Sequence, residues 1–596
     1  MIRNEKWVVL AKKADFNELA KEFNIDVVTA RLIRNRDVDG IEEIRKYLNP
    51  VLSDLHDGYL MKGMREGVAL MSKKIGEHKK IRIIGDYDID GVTSTYILYS
   101  GITMLGGIVD AVIPDRISDG YGLNINLIND ALEAGVDTII TCDNGISAVD
   151  EIRHARENGI TVIVTDHHNQ PFNVNDNGEK EYISVDADAV IDPKQIDCGY
   201  PFKGICGALV SYKFIEKLFA ESEISQEEAN KVKEDLIMYA AIGTIGDIME
   251  LKDENRAVVR KGLELIHKTD DISINALIEA AGLKKDRLNT YNIGFVIGPC
   301  INASGRLKTA KKALDLFINK DEEKCREYAK ELVELNSQRK NLTEEFARKA
   351  YDLVENTELN QDKVLVVFLP DCHESLAGII AGRVKERYNK PALVVTKTGE
   401  GLKGSARSIE AYNMFDEMSK VKELFTKFGG HALAAGFSLN EDKLDELRKR
   451  LNENCTLKDD ELCEVIRLDM QLPLEYVNRN LIEEFELLEP YGQGNRKPLF
   501  GEKDLIIDSY SEVGNERKFF KLDLRTSSGN RFKCTCFDSP DTFRDFLLDK
   551  YDETIVNDLM EGRPTGIKIT VCYVPDINEY NGRSYINYVI KNYKHA

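Results

Sequence analysis

Asp86, Asp88 and Asp90 stand at alternate positions in GDYDIDGVTST. In an extended strand, carboxylates so spaced share one face, and their mutual repulsion calls for a cation. More acids and a pair of imidazoles follow: Asp143 in TCDNG, Asp166, His167 and His168 in TDHH, and Asp247 in AAIGTIGDIMEL. Oxygen donors joined by one imidazole, His167, suit hard divalent ions such as Mn²⁺ or Mg²⁺. The set contains no thiolate, which weighs against structural zinc. A calcium loop is the competing reading of the first cluster, but its twelfth position holds Ile97 where a bidentate glutamate is needed. Asp247, taken alone, reads equally well as a helix cap. Shared carboxylates predict two ions roughly 3.5–4 Å apart, the arrangement that readies water for attack on phosphorus. His168 would then bond a phosphoryl oxygen or move a proton.

The elements that must carry these groups are legible around them. IRIIGD, VDAVIPD, VDTIITCDNG and ITVIVTDHH are short β-rich runs, and helical text lies between them. Strands alternating with helices predict a parallel sheet. Ligands of such sheets bind at the carboxyl ends of the strands, and that is where the acids and histidines fall. Gly91 is expected to let the backbone turn into a helix near Val92. YISVDADAVIDP reads as an added edge strand, with helices near 207–220 and 226–242.

Composition sets outer bounds. A chain of 596 residues, 42% hydrophobic and 31% charged, is ordinary globular material in several domains. No run is long enough for a membrane span, and the patch Trp7 to Ala11 is too short for a signal segment, so a cytoplasmic protein is expected. The net charge of −21 excludes bulk attraction to nucleic acid as the main signal, while leaving room for a local basic groove. Eleven cysteines form no CxxC pair; Cys534 and Cys536 read as small buried hydrophobes.

Five segments are expected: a helical N-terminal segment 1–75, an α/β unit 76–275, a connecting segment 276–360, a second α/β unit 361–460 and a β-rich end 461–596. The stretch 308–357 lacks proline and glycine and reads as one long helix or two in series, its charges a solvated face. KVLVVFLP, SLAGIIAGRVKERY and PALVVTK form the second α/β unit. After about 465 the turns SSGN and YNGR predict hairpins in a small barrel of OB type.

DYDIDGVTS, DNG, TDHH and GTIGD, in this order and spacing, resemble the motifs of the DHH phosphoesterase superfamily. GPCINASGRL, KGSARS, GGHALAAGFSL and EPYGQGNRKPLF narrow the resemblance to its branch of bacterial single-strand-specific DNA exonucleases, over residues 76 to 596. That resemblance implies a parallel-sheet DHH lobe and a smaller α/β DHHA1 lobe joined by a long helix, then a C-terminal OB-type domain. It implies 5′-to-3′ hydrolysis of single-stranded DNA to 5′-mononucleotides, in repair and recombination, beside a single-strand-binding protein and a RecQ-type helicase. By the same resemblance Asp86, Asp88, Asp90, Asp143, His167 and Asp247 hold two Mn²⁺ or Mg²⁺ ions, and Asp143, His167 and His168 act in catalysis. Arg306 and Arg407, with Ser405, become phosphate clamps; Arg116 meets the 5′ end and Tyr121 stacks on a base. Asn302, His373, Gly430 and His431 are expected along the cleft. Cys372 and Glu374, flanking His373, depart from the family pattern, which bears on substrate grip rather than metal chemistry. Two alternatives stand beside this reading: a DHH phosphodiesterase for short oligonucleotides or cyclic dinucleotides, and a non-enzymatic single-strand-binding replication factor.

Overall fold

The computed structural model describes residues 5–116, 119–120, 122–175, 177–399, 401–514, 518–580 and 583–596. It divides into two units, Pro50–Leu462 and a second built from Met1–Asn49 with Cys463–Ala596.

After the helix Met64–Gly76, the unit Pro50–Leu462 continues with β1 (Lys80–Ile84), α1 (Ile89–Met104), β2 (Ile108–Val112), β3 (Thr138–Cys142), β4 (Thr161–Thr165) and the edge strand β5 (Ala189–Ile191). All five strands run parallel, in the order β2-β1-β3-β4-β5. Their β-branched side chains alternate between two cores: Ile83, Ile140 and Ile163 enter one, and Ile84, Ile139, Val162 and Val164 the other. A sheet covered on both faces needs this near-continuous apolar text. The chain passes from β1 to β2 on one side and returns to β3 on the other. The crevice for a ligand therefore opens beyond the carboxyl ends of β1 and β3.

The turn after β1 differs from the extended segment expected. The helix α1 starts at Ile89, three residues before Val92, because the Asp88 side chain caps it by accepting from Asp90 and Gly91 N–H at 2.9 and 3.1 Å. The three aspartates thus meet through a turn and a first helical turn, rather than along one strand face. Next come α2 (Gly207–Ala220) and α3 (Gln226–Gly246), then a helical run from Thr290 whose last part is α4 (Gly298–Leu307). The charged stretch resolves into a short helix, Lys311–Ile318, and a 35-residue helix, α5 (Glu322–Asn356), capped by Asp321.

The second lobe of this unit holds β6 (Leu365–Phe368), α6 (Glu374–Tyr388), β7 (Ala392–Thr398), β8 (Gly401–Arg407), β9 (Phe425–His431) and β10 (Ala434–Leu439). Its sheet runs β9-β10-β8-β7-β6, parallel only between β6 and β7. Helix α6 crosses from β6 to β7, tight hairpins join β7 to β8 and β9 to β10, and β8 pairs directly with β10.

In the other unit, Phe500–Val513 pairs with both Phe519–Arg525 and Lys568–Tyr580, closing a five-stranded barrel with Arg531–Cys536 and Arg583–His595. Cys534 and Cys536 are buried in its wall. The segment expected as one helical piece over 1–75 instead divides near residue 50. Strand Glu5–Val9 pairs in parallel with Glu464–Leu468, and the helix Val27–Asn35 leads to Arg36, which is buried against Asn495 and Asp469. Among the described residues no helix is long and apolar enough to cross a membrane.

Candidate metal centre and phosphate cleft

The sheet brings the acids together at its carboxyl edge. Asp86 follows β1, Asp143 follows β3, and Asp166, His167 and His168 follow β4. Asp90 lies in the first turn of α1, and Asp247 is the residue that ends α3. Asp86, Asp90, Asp143 and His167 are almost wholly buried, while the Asp247 side chain is 30% exposed. Three groups of donors each fall within 4.8 Å: Asp86–Asp88–Asp143, Asp90–His167–Asp247 and Asp143–His167–His168. Asp143 and His167 belong to two groups each, so the six residues expected as ligands form one connected cluster. His167 Nε2 stands 3.0 Å from Asp143, 3.6 Å from Asp90 and 3.8 Å from Asp247.

Backbone donors aim these side chains. The first two N–H groups of α2 bond both oxygens of Asp90, at 2.6 Å from Gly207 and 2.9 Å from Ala208. That is an anion seated at a helix N-terminus. Helix α3 must approach closely to complete the site: a Cβ on Gly243 would stand 2.8 Å from Asp90 Oδ1. Asp143 takes the left-handed conformation, φ +60, which turns its carboxylate back over the crevice. Asp166, not a member of the clusters, is their organiser. It accepts from Ile146 N–H (2.9 Å) and His167 N–H (2.7 Å), and bonds His168 Nδ1 at 2.8 Å.

The electrostatics of the acids are unresolved by the protein itself. Burial, then the neighbouring Asp88 charge, pushes Asp86 well above the ordinary carboxylate range. Burial and the charges of Asp90, Asp88, Asp86 and Asp247 do the same to Asp143. Asp90 is raised to about 6 and Asp247 to about 8, in both cases by burial and by acidic neighbours. Asp86 Oδ1 is buried with no hydrogen-bond partner. His167 is pushed down to about 3 by burial and by the charge on His168, which keeps a neutral, ligand-competent ring. The Cys142 thiol, pushed upward by burial, faces Thr95 at 3.4 Å instead of joining the cluster. Crowded carboxylates, one neutral imidazole and an orphaned buried oxygen fit hard divalent cations.

Next to the acids lies the opposite imbalance. Tyr87, between Asp86 and Asp88, lines a cleft of about 920 Å³ together with Arg116, Arg306, Ser405 and Arg407. Burial, followed by the charges of Arg116 and Arg339, lowers Arg306 to about 10. Arg407 is lowered likewise, by burial and by Arg116. Arg306 donates to Ser375 O at 2.9 Å, and Arg407 to Ser405 Oγ at 3.1 Å. The Arg116 guanidinium stacks on the Tyr87 ring, 4.8 Å from its centroid. Clustered guanidiniums that depress one another favour an anion among them, and planar forks suit phosphate oxygens.

Other expected cleft residues go elsewhere. Asn302 accepts from Ile89 N–H at 2.7 Å and so fixes the start of α1. His373 caps α6, its Nδ1 facing Ser375 N–H and Oγ at 3.3 and 2.7 Å. The cleft wall includes Gly429 and Gly436, whereas Gly430 and His431 are exposed at the end of edge strand β9 and do not line it. Tyr121 lies outside the described residues. Arg339, Arg383, Lys403 and Lys427 do line the cleft and were not singled out from the sequence. A hint was available for Arg383, one helical turn and a residue beyond Gly378 in AGIIAGR; none marked Arg339 among the charges of α5.

The comparisons agree with this geometry. Residues 80–244 match the DHH family, N-terminal domain, 361–456 the DHHA1 domain, and 468–592 the RecJ OB domain. The single-stranded-DNA-specific exonuclease RecJ of Bacillus subtilis is 32% identical over 592 residues, covering 98% of this chain and 70% of that one. Its namesake from Haemophilus influenzae is 31% identical over 514 residues, 84% and 87% of the two chains. The crystal structure of RecJ in complex with Mn²⁺ from Thermus thermophilus superposes with a TM-score of 0.81 at 26% identity, over 100% of this chain and 80% of that one.

Proposed function

The chain belongs to the RecJ family of single-stranded-DNA-specific exonucleases, and on that premise we propose that it removes 5′-mononucleotides stepwise from the 5′ end of single-stranded DNA. It is a metal-dependent nuclease. In this reading two ions are held, one by Asp86, Asp88 and Asp143 and the other by Asp90, Asp143, His167 and Asp247. Bound there, Mn²⁺ or Mg²⁺ would supply Lewis acidity and an activated water. The protein's own groups do the rest. Arg306 and Arg407, with Ser405, grip phosphate oxygens, and Arg116 on its Tyr87 platform meets the terminal phosphate. Burial disfavours a charge on His168, but the Asp166 hydrogen bond and the Asp166 and Asp247 charges raise it to about 9. The Asp166 hydrogen bond favours the protonated ring, which is suited to donating to the phosphoryl oxygen where charge develops.

One observation carries the proposal: a cluster of buried acids that raise one another's pKa adjoins a cluster of buried guanidiniums that lower one another's, and a phosphodiester with its divalent ions satisfies both. Family membership extends it to repair and recombination in the bacterial cytoplasm, beside a single-strand-binding protein and a RecQ-type helicase, since unwinding makes this enzyme's substrate. The test is digestion of 5′- and 3′-labelled single strands and duplex controls, with Mn²⁺ or with EDTA. Release of mononucleotides from the 5′ label of single strands alone, abolished by EDTA, is expected. Attack from the 3′ end, or equal attack on duplex, would overturn it.

A further inference from the structure

The helical run Thr290–Leu307 is interrupted by a π turn at Ile293–Ile297. Such turns are rare and concentrate at functional sites. Around this one, two large rings stand out of the surface. Tyr291 and Phe295 are 63% and 66% exposed and stack on each other, with centroids 5.0 Å apart and planes at 25°. Phe295 also lines the arginine cleft. Nearby, Ile248 follows Asp247 directly, is 71% exposed and sits at φ +57. A β-branched residue in that left-handed region is strained, and such strain gathers at functional sites. The two features adjoin, because Ile245 of the same α3 end packs within 3.4 Å of where a Cβ on Gly294 would be.

Exposed stacked rings bordering a guanidinium-lined cleft match one ligand chemistry closely. A single strand is a polyanion whose bases are free to stack on aromatic faces. A duplex has its bases paired and already stacked, and offers them nothing. We propose that Tyr291 and Phe295 form a base-stacking platform at the mouth of the cleft, gripping unpaired nucleobases of the incoming strand without regard to sequence. The inference rests on the single-strand reading above.

The test uses the full chain with Mn²⁺ and strands carrying a short abasic window stepped along their length. The wild type is expected to show a KM about tenfold higher when the window falls on the platform. The double variant Tyr291→Ala, Phe295→Ala should show that higher KM on every strand and lose nothing further on abasic ones. The ring-preserving pair Tyr291→Phe, Phe295→Tyr should behave as wild type, and a melting curve establishes that each variant is folded. Equal KM for abasic and intact strands in the wild type would overturn the platform while leaving the nuclease reading in place. No cleavage of any strand by the wild type would instead sink the nuclease reading. Sedimentation closes the last route: a dimer lost in the alanine variant, with unchanged KM, would make the surface a self-interface and overturn the inference.

Discussion

Asp166 decides what the two histidines beside it can do. Burial works against its ionisation, yet the hydrogen bond from His168 and the charge on that ring hold it at about 2. An ionised Asp166 keeps His168 charged while His167 stays neutral. Replacing it, Asp166→Asn, is expected to lower kcat about 10–100-fold, as for other residues that orient a site from behind. The alkaline limb of the rate profile, set by loss of the His168 proton near pH 9, should move to lower pH. Mn²⁺ content, measured by metal analysis, should be retained. The acids themselves make a linked forecast. Asp90 and Asp247 titrate higher in the fold, at about 6 and 8, than their ordinary value of 3.8. A raised folded pKa favours the fold below the unfolded value, and that stability is lost as pH rises through the folded one. The ion-free protein should therefore lose thermal stability from about pH 4 to 8, and the gain in Tm on adding Mn²⁺ should grow over the same window. A melting series with EDTA or Mn²⁺ checks this; a gain independent of pH would contradict it. The gathering of acids at the sheet edge was legible because Asp86 and Asp143 each follow an apolar run, whereas Asp166, reading as part of the same TDHH text, gave no sign that it faces backbone donors instead.

At the scale of elements, two glycines let helices come close enough to build the site. A methyl group on Gly243 would meet Asp90 and Ala208 Cβ, at 2.8 and 2.6 Å. Gly243→Ala is expected to cost about 1–3 kcal/mol of stability by overpacking and to weaken Mn²⁺ binding, read by calorimetry. In the second lobe a Cβ on Gly378 would come within 2.9 Å of both Arg407 Nη2 and Ser405 Oγ. Gly378→Ala should raise KM for DNA while Mn²⁺ affinity is unaffected, which separates phosphate grip from metal binding. The strand–helix alternation made the parallel sheet readable, since a twofold-buried strand writes itself as an unbroken apolar run. The helix start at Ile89 was harder, because in sequence Asp88 reads as a ligand alone and not also as the cap that it forms. His373 misled in the same way: a histidine between Cys372 and Glu374 suits a cleft and a helix cap equally, and the fold uses it as the cap.

In the whole molecule, the motif EPYGQGNRKPLF turns out to hold the chain's two ends together within one unit. Asn495 donates to Leu488 O and Pro490 O at 2.7 and 2.8 Å and accepts from Arg36 and the Tyr47 hydroxyl, both at 2.8 Å. Arg36 also meets Leu32 O, Arg496 O and Asp469. Asn495→Ala would remove one partner each from Arg36 Nε, the Tyr47 hydroxyl and two carbonyls, so a loss of about 1–3 kcal/mol is expected. It should appear as an earlier melting transition while Mn²⁺ binding persists, since the metal cluster belongs to the other unit. Nothing local in the sequence joins Glu5–Val9 to Glu464–Leu468, because a five-residue strand carries no mark of a partner so far along the chain. The arginine cleft was half visible for a related reason: Arg339 faces it from a helix whose charges otherwise meet solvent.

In the proposed reading one cluster, hinged on Asp143, holds two divalent ions. Electron paramagnetic resonance during a Mn²⁺ titration addresses it most directly. Two ions per chain with an exchange-coupled signal are expected, along with loss of that coupling in Asp143→Asn. A single uncoupled ion in the wild type, or coupling that survives in Asp143→Asn, would contradict the account.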